Sequence, residues 1–145
     1  MTDPKRLLLV EDSADDRELI LGALPDSSRD CVDVARDDAE ALEFLRREGK
    51  FAQRAPRNPA AVILDLKLPK VSGLEVLQAM RAIPEYALTP VVVLTSSREQ
   101  RDLVDSYHLG ANAYVVKPVK YAQFTDAVQR LNAFWAELNE TPGTP

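Results

Sequence analysis

The sequence predicts an α/β fold in which helices cover both faces of a parallel sheet. Three branched apolar residues at 62–64 are typical of a strand that is buried on both faces. Strand-like and helix-like segments alternate five times along the chain, which favours a doubly wound three-layer sandwich with right-handed crossovers. An acid, Asp65, follows the central apolar run directly, at the end of the strand where such sheets bind ligands.

The composition is that of one globular domain. The 145 residues are 46% hydrophobic and 28% charged, which is sufficient for a core without disulfides. The net charge of −5 and the lack of a long basic stripe argue against nucleic acid as a partner. No apolar run approaches the roughly 18 residues of a membrane span and no signal peptide is evident, so we expect a cytoplasmic protein. Cys31 lies in an apolar run and is expected to be a small buried side chain.

In the first half of the chain, two strand–helix pairs precede the central strand. The first helix is expected to follow Ser13, a good N-cap residue, and to carry acids in its first turn, where the helix dipole favours them. The polar residue Asp33 places the second strand near the sheet edge. The polar connector at residues 48–59 is longer than the usual two to six or so residues, so it is either an ornament or a partner surface. The strands are predicted at 7–10 and 31–35, and the helices at about 14–24 and from 37 to the connector.

From the central strand onward, three more strand–helix pairs complete the pattern. Apolar residues at helical spacing predict each helix, and Gly110 is the expected C′ residue of the fourth. Residues 139–145 contain Thr, Pro and Gly and are expected to form a flexible tail. We therefore expect one domain over residues 1–138 and no output domain. The strands are predicted at 62–64, 91–94 and 113–116, and the helices at about 74–83, 99–109 and 121–138.

Polar side chains with related chemistry stand at four of the five strand ends. Glu11 and Asp12 follow the first strand, Asp65 the third, Thr95 ends the fourth, and Lys117 follows the fifth. Parallel strands end at one edge of the sheet, so three carboxylates, a hydroxyl and an ammonium should converge there. Each residue alone is more simply explained as a cap, a turn residue or a surface charge. Their joint placement at matching strand ends is not explained in that way.

Three neighbouring carboxylates repel one another unless a cation lies between them, and Mg²⁺ prefers such oxygen ligands. The expected ligands are Glu11 through a water, Asp12, Asp65 and the backbone carbonyl of Lys67. Beside a metal, the remaining groups suit phosphoryl transfer, which depends mainly on positioning and charge. The Lys117 ammonium and the Thr95 hydroxyl would each bind a phosphoryl oxygen. Asp65 would then be the nucleophile and would carry the phosphoryl group as an aspartyl phosphate.

Four motifs in this order resemble the receiver domain of bacterial two-component response regulators. They are Leu-Val-Glu-Asp-Ser at 9–13, Ile-Leu-Asp-Leu-Lys-Leu-Pro at 63–69, Val-Val-Leu-Thr-Ser at 92–96 and Tyr-Val-Val-Lys-Pro at 114–118. The resemblance implies a flavodoxin-like (βα)5 fold with strand order 2-1-3-4-5. It also implies Mg²⁺, transfer of a phosphoryl group from a kinase histidine to Asp65, and a cis peptide bond before Pro118. A receiver is not an enzyme for other substrates, since it assists only its own phosphorylation and dephosphorylation.

Further segments resemble the small stand-alone regulators that are paired with bacterial phytochromes. They are Phe44-Leu45-Arg46-Arg47 before the long connector, Leu68-Pro69-Lys70 before Gly73, and Phe134-Trp135 near the end. This finer resemblance implies that the kinase upstream is a bacteriophytochrome, which senses red and far-red light.

The resemblance also implies a switch. In the family, the hydroxyl that matches Thr95 moves toward the phosphoryl group, and an aromatic residue that matches Tyr114 turns inward behind it. The affected face consists of the fourth helix, the fifth strand and the fifth helix. Phe134 and Trp135 lie about 100° apart on a helix, so we expect Trp135 to continue the core stripe and Phe134 or Tyr121 to help form an exposed apolar patch. Such a patch would be a homodimer interface, and one exposed aromatic without a role is the alternative.

Three other classes of protein are alternatives to this interpretation. A phosphatase of the haloacid dehalogenase type needs a second acid two residues after its nucleophile, where this chain has Lys67. A flavin- or nucleotide-binding module needs a Gly-rich or Ser/Thr-rich loop after the first strand, where Glu11 and Asp12 would repel phosphate. A degenerate receiver that serves only as an interaction module is disfavoured, because all the chemical residues are present. A receiver that acts on another target, such as a motor or a phosphorelay histidine protein, stays open.

Overall fold

The computed structural model describes residues 5–142 and contains one five-stranded sheet. Its strands are β1 Leu7–Val10, β2 Val32–Ala35, β3 Ala61–Leu64, β4 Val91–Thr95 and β5 Ala113–Val116. All neighbouring strands are parallel, and their order is β2-β1-β3-β4-β5. The predicted α/β class and the implied strand order are confirmed, including the position of β2 at an edge.

A helix follows each strand, as the alternation predicts. The five main helices are α1 Ala14–Gly22, α2 Asp38–Arg46, α3 Gly73–Arg81, α4 Gln100–His108 and α5 Tyr121–Asn132. The π-helical segment Ala133–Leu138 continues α5, so helical structure ends at the predicted residue. Ser13 caps α1 by accepting a hydrogen bond from the backbone N–H of Asp16 at 3.2 Å. Shorter helical turns occupy Asp26–Arg29, Gly49–Phe51 and Pro84–Tyr86.

The core has one layer on each face of the sheet. Helices α2 and α3 contact each other on one face, and α1 and α5 contact each other on the other. The first layer includes the buried side chains Phe44, Leu77, Met80 and Tyr86, and the second includes Ile20, Leu24, Phe124 and Val128. The three central strands are buried along their whole length. This packing fixes the positions of the strand ends, and with them the residues that follow.

Gly73 allows the start of α3 to approach the end of β3. An added Cβ would collide with the carbonyl oxygen of Asp65 and would lie 2.8 Å from the Cα of Leu66. The Gly73 N–H also donates a hydrogen bond to the Leu66 carbonyl at 2.8 Å. Any larger residue would push α3 away from the loop that follows Asp65.

The long connector at residues 48–59 is anchored through Arg54. Its guanidinium lies 4.0 Å from the ring centroid of Phe44, donates to the Phe44 carbonyl at 2.9 Å, and donates to the Tyr86 hydroxyl at 2.6 Å. Tyr86 in turn donates from the core to the carbonyl of Leu45 at 2.7 Å. Because the connector leads into the amino end of β3, it lies at the opposite sheet edge from Asp65.

Several expectations need correction or fall outside the described residues. Cys31 is half-buried rather than buried, like the first three residues of the edge strand β2 that follows it. Every peptide bond in residues 5–142 is trans, including the bond before Pro118, so the cis prediction is wrong. The two X–Pro isomers differ by only about 0.5–1 kcal/mol, so the local sequence does not determine the isomer. Of the predicted tail, 143–145 lie outside the described residues, whereas the Asn139 carbonyl accepts a hydrogen bond from Lys5 at 2.7 Å.

Within the part of the chain that the structure describes, none of the helices combines the length and the apolar character needed to cross a membrane.

Candidate functional site at the carboxyl edge of the sheet

Three carboxylates converge where β1 and β3 end. Val10 and Leu64 are register partners in these adjacent parallel strands, so the residues after them emerge side by side. One carboxylate oxygen from each of Glu11, Asp12 and Asp65 lies within 4.8 Å of the other two. Glu11 is 1% exposed and Asp65 is 5% exposed, whereas Asp12 faces solvent. The convergence that the strand ends predict is therefore present.

The ammonium of Lys117 contacts the two buried acids of this cluster and a further acid on α1. Its Nζ lies 2.7 Å from Oε1 of Glu11 and 2.9 Å from Oδ2 of Asp65, and its side chain is 9% exposed. A third carboxylate, Asp16 on α1, places Oδ2 at 2.7 Å from the same nitrogen. The ammonium carries three protons, so each of its donors has one carboxylate partner.

The ionisation of the buried acids follows from this arrangement. Burial raises the pKa of Glu11 to about 7, against the opposing effect of its hydrogen bond to Lys117. Burial alone would also raise the pKa of Asp65, but the hydrogen bond and charge of Lys117, with the backbone N–H of Lys67, outweigh it and hold that pKa below its ordinary value. Asp65 is therefore an ionised carboxylate in an enclosed site. The pKa of Lys117 is raised, because its hydrogen bonds to Asp16, Glu11 and Asp65 outweigh the effect of burial.

The donor set fits a hard divalent cation. Glu11, Asp12 and Asp65 offer carboxylate oxygens close to one another, and Asp16 is a further acid beside the same ammonium. Three carboxylates contact the single ammonium of Lys117, so Lys117 alone does not compensate their negative charge. The backbone of Lys67 lies against the cluster, since its N–H donates to Oδ1 of Asp65 at 3.1 Å. The Lys67 side chain is exposed to solvent.

Thr95 and Tyr114 are linked through one residue, Ser97. Thr95 is fully buried, and its hydroxyl oxygen accepts a hydrogen bond from the Ser97 N–H at 3.4 Å. The Tyr114 hydroxyl donates to the Ser97 carbonyl at 3.0 Å. The Ser97 hydroxyl donates to Oδ2 of Asp102 on α4 at 2.5 Å. Hydrogen bonds of Ser97 therefore connect Thr95 and Tyr114 to helix α4.

Pro118 follows Lys117 in a trans peptide, and the Lys117 N–H extends the pairing of β5 with β4 by donating to the Thr95 carbonyl at 2.7 Å.

Beyond the end of α5, Trp135 packs against the core layer formed with α1, and Phe134 is 46% exposed. Tyr121 is 68% exposed. The predicted division between Trp135 and the exposed aromatics is confirmed.

The sequence does not predict two contacts of the site. Asp16 is one of the acids expected in the first turn of the first helix, where the helix dipole favours them, yet its carboxylate reaches Lys117. Asp16 lies in the first turn of α1, directly after the loop that carries Glu11 and Asp12, and this closeness in sequence was the available signal. Asp102 pairs with Ser97 across a loop, and no local pattern indicates that contact.

The fold and this site define a class of signalling domain, and the chain belongs to the response regulator receiver domain family, which it matches over residues 7–129. Response regulator Rcp1 of Synechocystis sp. is 38% identical over 140 residues, which cover 96% of this chain and 94% of Rcp1. A crystal structure of the Mn²⁺-bound form of Rcp1, 36% identical over 96% of this chain and 99% of that one, has a TM-score of 0.87.

Two solved structures of phytochrome response regulators are also similar to this chain. The phosphorylated cyanobacterial phytochrome response regulator RcpA has a TM-score of 0.89 and 35% identity, covering 97% of this chain and 99% of its own. The bacteriophytochrome response regulator RtBRR has 53% identity and a TM-score of 0.72, covering 97% of this chain and 85% of its own. The protein is thus a receiver-type response regulator related to phytochrome response regulators.

Proposed function

We propose that the protein accepts a phosphoryl group on Asp65 from the phosphohistidine of a sensor kinase, with Mg²⁺ as cofactor. One observation carries the proposal: Asp65 is an enclosed, ionised carboxylate that is paired with Lys117 and lies beside the carboxylates of Glu11 and Asp12. Family membership supports it, because receiver domains act with histidine kinases. The protein would be a phosphoacceptor rather than an enzyme for other substrates.

In the proposed transfer, a carboxylate oxygen of Asp65 forms a bond to phosphorus while the phosphorus–nitrogen bond to the kinase imidazole breaks. The electron pair of the broken bond stays on the imidazole nitrogen, which takes up a proton from water. The product is an acyl phosphate. Asp65 needs no base to activate it, because Lys117 and the Lys67 N–H already favour its ionised form.

The surrounding groups would stabilise the transferring phosphoryl group. Mg²⁺ held by Glu11, Asp12 and Asp65 would supply positive charge for the phosphoryl oxygens. Lys117 would exchange one of its carboxylate partners for a phosphoryl oxygen. The Thr95 hydroxyl would donate to another oxygen once it turns away from the Ser97 N–H.

The same movement would produce the signal. Phosphorylation adds about −1.5 to −2 charges at Asp65, which favours any arrangement that brings donors toward it. Movement of Thr95 would break its contact with the Ser97 N–H, and Ser97 also holds Tyr114 and helix α4. The face formed by α4, β5 and α5 would therefore respond to the state of Asp65.

The proposed kinase is a bacteriophytochrome. Its support is the 53% identity to the bacteriophytochrome response regulator RtBRR and the structural similarity to the phytochrome response regulator RcpA. Incubation with radiolabelled phosphorylated kinase tests this. Faster labelling by a bacteriophytochrome kinase than by an unrelated sensor kinase is expected, and equal slow labelling by both would reject the pairing.

A homodimer through the α4–β5–α5 face is part of the proposal. Exposed apolar side chains on or beside this face are Val104, Tyr107, Val119 and Tyr121. Exposed apolar side chains on one face of a protein favour association with a second copy. Light scattering at micromolar concentration, with and without phosphorylation, should detect a dimer, and a monomer in both states would reject it.

Intact-mass spectrometry after incubation with acetyl phosphate and Mg²⁺ tests phosphorylation itself. The wild type should gain one phosphoryl group, and Asp65→Asn should gain none. Prior addition of EDTA should prevent the gain in the wild type. No adduct in the wild type, even after a short incubation and a cold acid quench, would instead favour an interaction module that works without phosphorylation.

A further inference from the structure

The ammonium of Lys117 is shared among three carboxylates that are not equivalent. Glu11 and Asp65, at 2.7 and 2.9 Å, belong to the cluster that fits a divalent cation. Asp16, at 2.7 Å, lies outside that cluster. A cation in the cluster and the ammonium therefore compete for oxygens of Glu11 and Asp65, but they do not compete for Asp16.

The position of Asp16 is well determined by its surroundings. Its backbone N–H donates to the Ser13 hydroxyl at 3.2 Å, which fixes the first turn of α1. The next residue, Arg17, donates to the carbonyls of Glu11 and Asp12, each at 2.9 Å, and so ties the same turn to the loop that carries the acids. The Asp16 side chain is only 29% exposed, and its carboxylate points toward Lys117.

We propose that Asp16 is a positioning residue that holds Lys117 beside Asp65 while a divalent cation occupies the carboxylates of Glu11, Asp12 and Asp65. The inference rests on the proposed function of Asp65 as a metal-dependent phosphoacceptor. When the cation takes oxygens from Glu11 and Asp65, the ammonium keeps Asp16 as a charged partner. Lys117 then stays close enough to reach an incoming phosphoryl group.

Removal of the Asp16 charge should therefore weaken cation binding indirectly. In Asp16→Asn, the carboxylate partners left to the ammonium would be Glu11 and Asp65, which are also ligands of the cation. The ammonium would hold those oxygens more firmly. A cation that displaced the ammonium would leave it without a charged partner. We expect the dissociation constant for Mn²⁺ to rise roughly five- to tenfold.

The neighbouring acid provides a matched control. Asp15 lies on the same turn, carries the same charge and is exposed, but it does not contact Lys117. Its long-range effect on a cation is screened by solvent, so Asp15→Asn should change the Mn²⁺ dissociation constant by less than about twofold.

The experiment is a Mn²⁺ titration of the purified protein, followed by the electron paramagnetic resonance signal of the free ion. The variants are Asp15→Asn, Asp16→Asn, Lys117→Met and the double variant Asp16→Asn/Lys117→Met. We expect Asp16→Asn to bind Mn²⁺ more weakly than the wild type. Because Asp16 acts through Lys117, we expect the same change to have no further effect when Lys117 is already methionine. Thermal unfolding without Mn²⁺ is recorded for each variant, and Asp16→Ser replaces Asp16→Asn if the latter does not fold.

Three results would overturn the inference. Equal Mn²⁺ binding by Asp15→Asn and Asp16→Asn, with a lowered unfolding temperature for the latter, would show a merely structural role. An effect of Asp16→Asn that persists beside Lys117→Met would show that Asp16 acts on the cation directly. Failure of the wild type to bind Mn²⁺ would remove the proposed metal site itself, and the positioning role with it.

Discussion

Replacement of Lys117 by methionine tests the electrostatics of the site directly. Methionine has a similar length and no charge. Within residues 5–142, Lys117 is the only basic residue at ion-pair distance from Glu11 or Asp65. The substitution therefore leaves two buried carboxylates facing each other without a counter-charge.

The expected fall in the free energy of unfolding follows from the burial of these acids. Glu11 and Asp65 are 1% and 5% exposed, so solvent does little to screen their repulsion. Loss of one partner of a buried ion pair costs about 3–5 kcal/mol. Proton uptake by Glu11, whose pKa is already raised to about 7, relieves part of this cost. We expect the free energy of unfolding to fall by about 3 kcal/mol at neutral pH without Mg²⁺.

Urea unfolding followed by the fluorescence of the single tryptophan, Trp135, measures this loss. Mg²⁺ should stabilise Lys117→Met more than the wild type, because the ammonium no longer competes for the carboxylates. Lys120→Met, the same change at an exposed position three residues later, is the control. Equal stability of the two variants, or an equal Mg²⁺ effect in Lys117→Met and the wild type, would refute the reasoning.

Three further predictions concern the stability of the fold. Gly73→Ala forces a Cβ against the Asp65 carbonyl and should cost about 2 kcal/mol in urea unfolding, whereas Gly22→Ala, which has open space, should cost nothing. Tyr86→Phe leaves a buried carbonyl without its donor and should cost about 1–2 kcal/mol in the same assay. Burial alone would raise the pKa of Glu40, but hydrogen bonds lower it to about 2, so Glu40 stabilises the fold above pH 4.5 and this contribution is lost as the pH falls toward 2. Glu40→Gln should remove this acid-dependent loss, about 1 kcal/mol after solvent screening, in unfolding measured against pH.

The strand ends explain why so much of the site was predictable from the sequence. Once the apolar runs are recognised as parallel strands, Glu11, Asp65 and Lys117 must emerge at one edge of the sheet, whatever the surrounding loops do. The same reasoning works for Trp135 and Phe134, because adjacent helical residues must face different directions.

Other features depend on quantities that a single sequence does not specify. The contact of Asp16 with Lys117 requires the rotation of α1 about its axis and a particular side-chain rotamer. The contact of Ser97 with Asp102 depends on the path of the loop after β4. The isomer before Pro118 is a choice between states of similar energy. Strand register is robust to such details, whereas individual hydrogen bonds are not.

The most direct test of the central claim locates the phosphoryl group on the chain. Reduction of the acetyl phosphate-treated protein with borohydride converts an aspartyl phosphate to homoserine, which peptide mass spectrometry then assigns to a residue. Conversion at Asp65 alone, prevented by EDTA, is the predicted result. Conversion at Asp12 or at any other aspartate, or at no acid in the chain, would contradict the assignment of Asp65 as the phosphoacceptor.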